Sequence, residues 1–213
     1  MPVRPPAVRR LSAVLSVRRG RSPASYGSVR STSPRYLDTR QLTVTLRRTQ
    51  KLARALPASS AEAPPPTTAL GDWFVDRLVV DRRPLLLLVS SRTLFPILVP
   101  ARDVASLPAR LPRVVASALF RARMPVRQID AECAAMLPMH IAKTNDRSVG
   151  GIVVDFAGAT AMYLPVGGWD ETTLPFVEAR LAETPCFSSS RLRDSIFPVD
   201  ATRTALADRW GAR

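Results

Sequence analysis

The chain of 213 residues is long enough for one domain of ordinary size and too short for two full domains plus a tail. Its formal net charge is +14, but residues 1–40 hold nine arginines and one aspartate, so residues 41–213 carry only +6 of that charge. One histidine and two distant cysteines exclude a histidine-rich metal centre and a structural zinc site, and neither a metal nor another cofactor is expected. No apolar run reaches the roughly 18 residues of a membrane-spanning helix, which predicts a soluble protein without a membrane partner.

Residues 1–40 combine arginine, serine and proline without a sustained apolar period, which predicts a disordered tail. Such a cationic tail attracts nucleic acid weakly and without sequence preference, and salt weakens this attraction. Its composition also resembles an organelle transit peptide, although five prolines interrupt any long amphipathic helix. A true start nearer residue 42 is another alternative. Because the cysteines give no sign of an oxidising compartment, we expect the cytoplasm.

The folded part is predicted to open with a strand at residues 42–46, where apolar and β-branched polar residues alternate. A short helix over 48–56 follows, because Leu52 and Leu56 lie one helical turn apart. Residues 57–70 are rich in alanine, proline, serine and threonine, which predicts a loop insert between this helix and the next strand.

Three further strands are predicted between residues 73 and 99. Two apolar runs, at 73–80 and 85–89, are separated by polar turn residues and therefore predict a β-hairpin. The second run is unbroken leucine and valine, which is typical of a strand covered on both faces. A third strand at 93–99 extends this meander, and Pro96 indicates that it lies at an edge.

Helices are predicted to dominate the remainder of the chain, with one short strand between them. The predicted helices cover 112–123, 128–136, 147–162, 171–183 and 200–209, and the strand covers 139–142. Together these elements predict an α+β fold with a small, mainly antiparallel sheet packed against several helices. We expect one such domain over residues 41–211.

Only two of the 31 basic residues are lysines, and each lies in a compact polar motif. Lys51 belongs to the motif TQKL at 49–52, and Lys143 begins the motif KTNDRS at 143–148. The second motif joins a predicted strand to a predicted helix, where free backbone N–H groups attract anions. Lys143 and Arg147 add positive charge there, and Thr144 and Ser148 add hydroxyl donors. The sequence therefore predicts an anion site on these residues, with Lys51 converging on it if the two strands before the motifs are neighbours.

The turn at 143–148 also has a purely structural interpretation. Thr144 or Asn145 would cap the helix, Asp146 would complement the helix dipole, and both cations would be solvated. The glycines that follow do not have the spacing of a phosphate-binding loop, so the motif itself does not select between the two interpretations.

Other residues with reactive side chains are weaker candidates. His140 precedes Lys143 and could act as a general base, but its place on a short strand favours a position along the sheet. Cys133 lies among apolar residues and is expected to be a small buried hydrophobe. Cys186 would need a nearby base to act as a nucleophile, and the sequence offers none.

Several short motifs occur in a fixed order along the chain. They are TQKL at 49–52, Trp73, DRR at 81–83, LLLLV at 85–89, TLF at 93–95, KTNDRSVG at 143–150, DF at 155–156 and ETP at 183–185. In this order the motifs resemble a small bacterial family of uncharacterised domains, a domain of unknown function, over residues 42–209. The resemblance implies no activity, cofactor or catalytic residue.

These observations favour an uncharacterised protein that acts as a non-catalytic binding or regulatory domain, with an anionic small molecule or a protein as its partner. This hypothesis depends on the lack of a catalytic triad, a metal set or a cofactor loop in the sequence. The alternative is a small enzyme acting on a phosphorylated or nucleotide-like substrate, with Lys51, Lys143 and Arg147 stabilising charge and His140 or Asp155 transferring protons. A weaker alternative is nucleic-acid binding through the arginine-rich tail.

Overall fold

A computed structural model of the chain describes residues 43–59, 63–165, 168–187 and 195–211. The predicted tail at 1–40 lies outside these residues. The strands are β1 Val44–Arg48, β2 Trp73–Val80, β3 Arg83–Ser90, β4 Pro96–Pro100 and β5 Met139–Lys143. The α-helices are α1 Leu107–Arg121, α2 Val126–Ala134, α3 Arg147–Tyr163, α4 Leu174–Ala182 and α5 Pro198–Trp210. Two short 3-10 helices, η1 Gln50–Leu52 and η2 Val104–Ser106, complete the described elements.

The five strands form one mixed sheet in the order β4-β3-β2-β1-β5. Strand β1 pairs in parallel with β2 on one side and with β5 on the other, while β2, β3 and β4 form an antiparallel meander. The α+β class is confirmed, but the prediction of a mainly antiparallel sheet is wrong. The physical reason is the long connection over residues 49–72, which includes the predicted insert and lets the chain return before it enters β2 in the same direction as β1.

Helices cover both faces of the sheet, because strand side chains point alternately to one face and the other. On one face Leu46, Trp73 and Leu86 belong to a core that includes side chains from α1, α2 and α5. On the opposite face Phe74 and Leu87 belong to a second core with side chains from α3 and α4. The run of four leucines and a valine at 85–89 is fully buried, as predicted for a strand covered on both faces.

The helix predicted over 48–56 is only the 3-10 helix Gln50–Leu52, because β1 extends to Arg48, and other large boundary differences occur at prolines. Strand β4 begins at Pro96 and not at residue 93, because Leu94 adopts a left-handed turn conformation with a φ of 60°. Helix α1 begins at Leu107, five residues before the predicted start, with one proline in its first turn and Pro112 inside it. Within the described ranges, the structure contains no helix that is both long and apolar enough to cross a bilayer.

Candidate functional site

The sheet opens a crevice where the parallel strands β1 and β5 end. The connection that leaves β1 turns towards the first core, in which Leu52 and Leu56 are buried. The connection that leaves β5 enters α3, which packs on the other face of the sheet. Neighbouring parallel strands whose connections leave to opposite faces have a gap at their carboxyl ends, and ligands of open α/β sheets bind in such gaps.

A cavity of about 650 Å³ occupies this crevice. Its polar walls come from the residues after β1, from the turn before α3 and from one acid on β2, while its apolar surface comes from β2 and α3. The lining residues are Thr49, Gln50, Lys51, Phe74, Val75, Asp76, Thr144, Asn145, Asp146, Arg147, Gly150, Val153 and Val154. This volume and this mixture of apolar surface with a few polar groups are typical of a small-ligand site.

Asp76 is the buried acid of the crevice, and both oxygens of its carboxylate accept a hydrogen bond. Its Oδ1 accepts a hydrogen bond of 2.6 Å from the Thr49 hydroxyl, and its Oδ2 accepts one of 2.8 Å from Lys51 Nζ. Lys51 Nζ also donates to the carbonyl of Arg77 at 3.3 Å. Because the ammonium lies directly on the carboxylate, the formal charges of this pair cancel within the crevice.

The start of α3 carries its own anion. Asp146 is the N-cap, and its Oδ1 accepts hydrogen bonds from the backbone amides of Ser148 at 2.8 Å and Val149 at 3.2 Å. The expectation that Thr144 or Asn145 caps the helix is therefore wrong, because the aspartate one residue closer to the helix reaches both amides. An incoming anion finds these two amides occupied and depends on side chains instead.

Arg147 is the cation of the crevice without a partner. Its side chain is exposed, and among the described residues no acceptor or carboxylate pairs with its guanidinium. The side-chain amides of Gln50 and Asn145 also make no hydrogen bond within the described ranges. Three polar groups with unused hydrogen-bonding capacity therefore face a cavity whose acids are both engaged.

The structure brings together three of the five residues predicted to bind an anion. Lys51, Thr144 and Arg147 line the same cavity, whereas Lys143 is exposed outside its lining. Ser148 is half-buried and also lies outside the lining. Asp76 was missed as a site residue, although a lone acid in a mostly apolar central strand is a recognisable signal of a buried ion pair.

The groups considered for proton transfer and nucleophilic attack do not meet at the cavity. His140 and Asp155 do not contribute to its lining. Burial raises the pKa of the Cys133 thiol to about 11 and that of the Cys186 thiol to about 11, so both remain protonated near neutral pH. Over the part of the chain that the structure describes, no three histidine, cysteine or acidic side chains form a possible metal site.

Comparison with known proteins identifies the family of the chain. Searches against curated proteins and against solved structures gave no match. A family model, Domain of unknown function (DUF6933), matches residues 45–201, which is well over half of the chain and includes every residue that lines the crevice. The resemblance to a family of uncharacterised domains is thereby confirmed, and the chain belongs to the DUF6933 family.

Proposed function

We propose that this domain is a non-catalytic binding domain whose ligand occupies the crevice at the ends of β1 and β5 and carries an anionic group. The observation that supports this function is the Arg147 guanidinium, which pairs with no described residue and lines a cavity whose two acids are already engaged. A guanidinium offers a planar set of donors that fits a carboxylate or a phosphate with two parallel hydrogen bonds.

The charge balance of the lining supports an anion over a cation. The four charged lining residues are Lys51, Arg147, Asp76 and Asp146, and their formal charges sum to zero. The two acids nevertheless attract a cation less strongly than the guanidinium attracts an anion. Asp76 is neutralised by Lys51, and Asp146 is stabilised by the amides and dipole at the start of α3. The guanidinium is left as the group with the most unused binding capacity.

The remaining lining residues indicate what else the ligand contains. Gln50 and Asn145 can donate and accept hydrogen bonds, which favours a polar group beside the anion. Phe74, Val153 and Val154 contribute apolar surface, which favours a ligand with an apolar portion. Binding without catalysis is supported by the position of His140 and Asp155 outside the lining and by the engagement of Asp76.

A thermal-shift screen of the full chain tests this function. The panel contains nucleotides, phosphosugars, dicarboxylates, inorganic phosphate, sulfate and short RNA, and the proteins are wild type, Arg147→Gln, Lys143→Gln and Arg127→Gln. Arg127 is the matched control, because it also lies exposed in the first turn of a helix but does not line the crevice.

At least one anionic class should raise the Tm of the wild type, because a ligand that binds only the folded state stabilises it. Arg127→Gln should keep this shift, Lys143→Gln should reduce it slightly, and Arg147→Gln should lose most of it. An equal shift in Arg147→Gln, or no shift of the wild type with any class, would overturn the proposed function.

A further inference from the structure

The second half of β2 is an open strand edge inside the fold. Strand β1 pairs with β2 only as far as Arg48 opposite Val75, and the last hydrogen bond runs from the Thr49 amide to the Val75 carbonyl at 3.1 Å. The chain then turns away into η1. Beyond this point β2 continues to Val80 and, of the described strands, pairs only with β3. No described strand lies in the place that a longer β1 would occupy.

The backbone groups on this edge can be identified from the hairpin. Val80 pairs with Arg83 across the two-residue turn, so their N–H and C=O groups bond to each other. Groups of the alternate residues, Arg77 and Val79, point away from β3. The partner opposite Val79 is Pro84, which has no N–H. Among the described residues neither the Arg77 amide nor the Val79 amide donates a hydrogen bond, and the Arg77 carbonyl accepts only from Lys51 Nζ.

A second cavity of about 460 Å³ lies along this open edge and continues the first one. Lys51 lines both cavities, and the second is otherwise lined by Arg77, Leu78, Val79, Val80, Ala157 and Ala161. Helix α3 contributes to both, through Gly150 in the first and Ala161 in the second. These two residues are about 16 Å apart along the helix axis. About five residues of extended chain span that distance.

We propose that the ligand of the crevice is an extended acidic peptide, which adds a short strand to the open edge of β2 and places a carboxylate on Arg147. This inference rests on the proposed function, because both use the same guanidinium. An added strand obtains affinity from main-chain hydrogen bonds, which the free Arg77 and Val79 amides and the Val79 carbonyl can supply. The alanines on α3 leave room for its side chains.

Charge decides which peptide fits this groove. The guanidinium of Arg77 has no partner among the described residues, and the same holds for Arg147 at the other end of the groove. Both acids of the first cavity are engaged, and the second cavity contains none. An acidic peptide is therefore attracted, whereas residues 1–40 of this chain, with nine arginines and one aspartate, are repelled.

The probes are fluorescent peptides of about eight residues, with alternating threonine and valine and with glutamates at both ends, so that a carboxylate reaches Arg147 in either strand direction. Binding is measured at low salt. Control peptides carry lysine in place of glutamate, or N-methyl groups on alternate backbone amides. The protein variants are Val79→Pro, which removes one amide donor of the open edge, and Val79→Ala, which keeps it. Val79 suits this test because its side chain is 64% exposed and its amide donates to no described residue.

The acidic peptide should bind the wild type, and Val79→Ala should stay within about threefold of that affinity. Val79→Pro and the N-methylated peptide should each weaken binding by about tenfold or more, since main-chain hydrogen bonds are lost. Arg147→Gln should weaken peptide binding as well. Small anions should still shift the Tm of Val79→Pro if they bind the wild type, because Arg147 is untouched.

Failure of this inference differs from failure of the proposed function. If small anions bind through Arg147 but no acidic peptide binds, or if Val79→Pro binds the peptide like Val79→Ala, strand addition is wrong and the crevice remains a site. If Val79→Pro folds poorly, amide hydrogen exchange of the wild type decides. The Arg77 and Val79 amides should become protected when the peptide is added, and unchanged exchange at both would overturn the proposal.

Discussion

The edge of β4 and the edge of the second half of β2 differ in whether their outward-pointing backbone amides are paired. On β4 the residues whose backbone points away from the sheet are Pro96, Leu98 and Pro100. The two prolines have no N–H, and the Leu98 amide donates to Glu178 Oε1 of α4 at 2.9 Å. On the second half of β2, by contrast, the Arg77 and Val79 amides donate to no described residue.

The comparison shows that this fold closes the edge of β4, where each outward-pointing residue either is a proline or has its amide paired. An unpaired edge is a template for another chain, and proteins blunt it with proline or charged side chains. At β4 the closure is costly, because Glu178 is buried and burial raises the pKa of its carboxyl although Arg121 donates to Oε2 at 2.6 Å. The second half of β2 contains no proline, and its Arg77 and Val79 amides have no acceptor among the described residues, although Arg77 itself is charged and Lys51 Nζ donates to its carbonyl. These two donors lie beside a cavity, which is the arrangement expected of a surface that receives a ligand.

Breaking the closed edge should have the largest effect on stability. Glu178→Ala leaves the buried Leu98 amide without an acceptor and Arg121 without its carboxylate. We expect a loss of about 2–3 kcal/mol in the free energy of unfolding, because an unsatisfied buried donor and a lost charged hydrogen bond add up. Urea unfolding followed by circular dichroism measures this loss.

Glu171→Ala is the matched control for this loss. Glu171 also pairs with an arginine, Arg102, but both side chains are more than half exposed. Exposed ion pairs contribute little, so this variant should stay within about 0.5 kcal/mol of the wild type. Equal losses for the two variants would show that Glu178 does not close the edge of β4.

Removing the charge of Asp76, the acid beside the open edge, should reduce stability less than Glu178→Ala does, and it should strengthen ligand binding. Asp76→Asn keeps an acceptor for Thr49 and leaves Lys51 in solvent, where 61% of its side chain is already exposed. We expect a stability loss within about 1 kcal/mol. Affinity for the anionic ligand should rise a few-fold, because the crevice loses a negative charge. Titration calorimetry with the ligand from the screen measures it.

Asp72→Asn separates the effect on binding from a general change in charge. Asp72 is also buried, accepts from the Thr45 amide at 3.0 Å and pairs with Arg47 at 2.6 Å, but it does not line the crevice. This variant should lose stability without gaining affinity. A gain of equal size in both variants would place the ligand away from the crevice.

The sequence predicted those elements whose signal is local. The hairpin of β2 and β3 follows from two apolar runs around a polar turn, and α3 begins at the predicted Arg147 and ends within one residue of the prediction. The parallel pairing of β1 could not be predicted in this way. It depends on how the chain over residues 49–72 returns across the sheet, and no short segment encodes that path.

The candidate site shows the same limit. The sequence predicts convergence of Lys51 on the turn before α3 only if β1 and β5 are neighbours, and it does not reveal the strand order. In the structure β1 and β5 are neighbours, and Lys51 and Arg147 line one cavity. The pairing of Lys51 with Asp76 joins residues 25 positions apart and needs the fold to be known. The position of Lys143 outside the cavity depends on which way the last residue of β5 points. Anion binding by these residues stays a prediction.

Proline on the open edge should have the smallest effect on stability and gives the sharpest comparison between neighbouring residues. Val79→Pro removes an amide that donates to no described residue, so we expect a loss below about 1 kcal/mol in the free energy of unfolding. Val80→Pro removes an amide that pairs with Arg83 in the hairpin. It should lower the free energy of unfolding by about 1–2 kcal/mol more than Val79→Pro does, although neither valine is fully buried. Urea unfolding of the two variants compares them directly. If Val79→Pro is as damaging as Val80→Pro, the Val79 amide is engaged in the free protein and the edge of β2 is not open to a ligand.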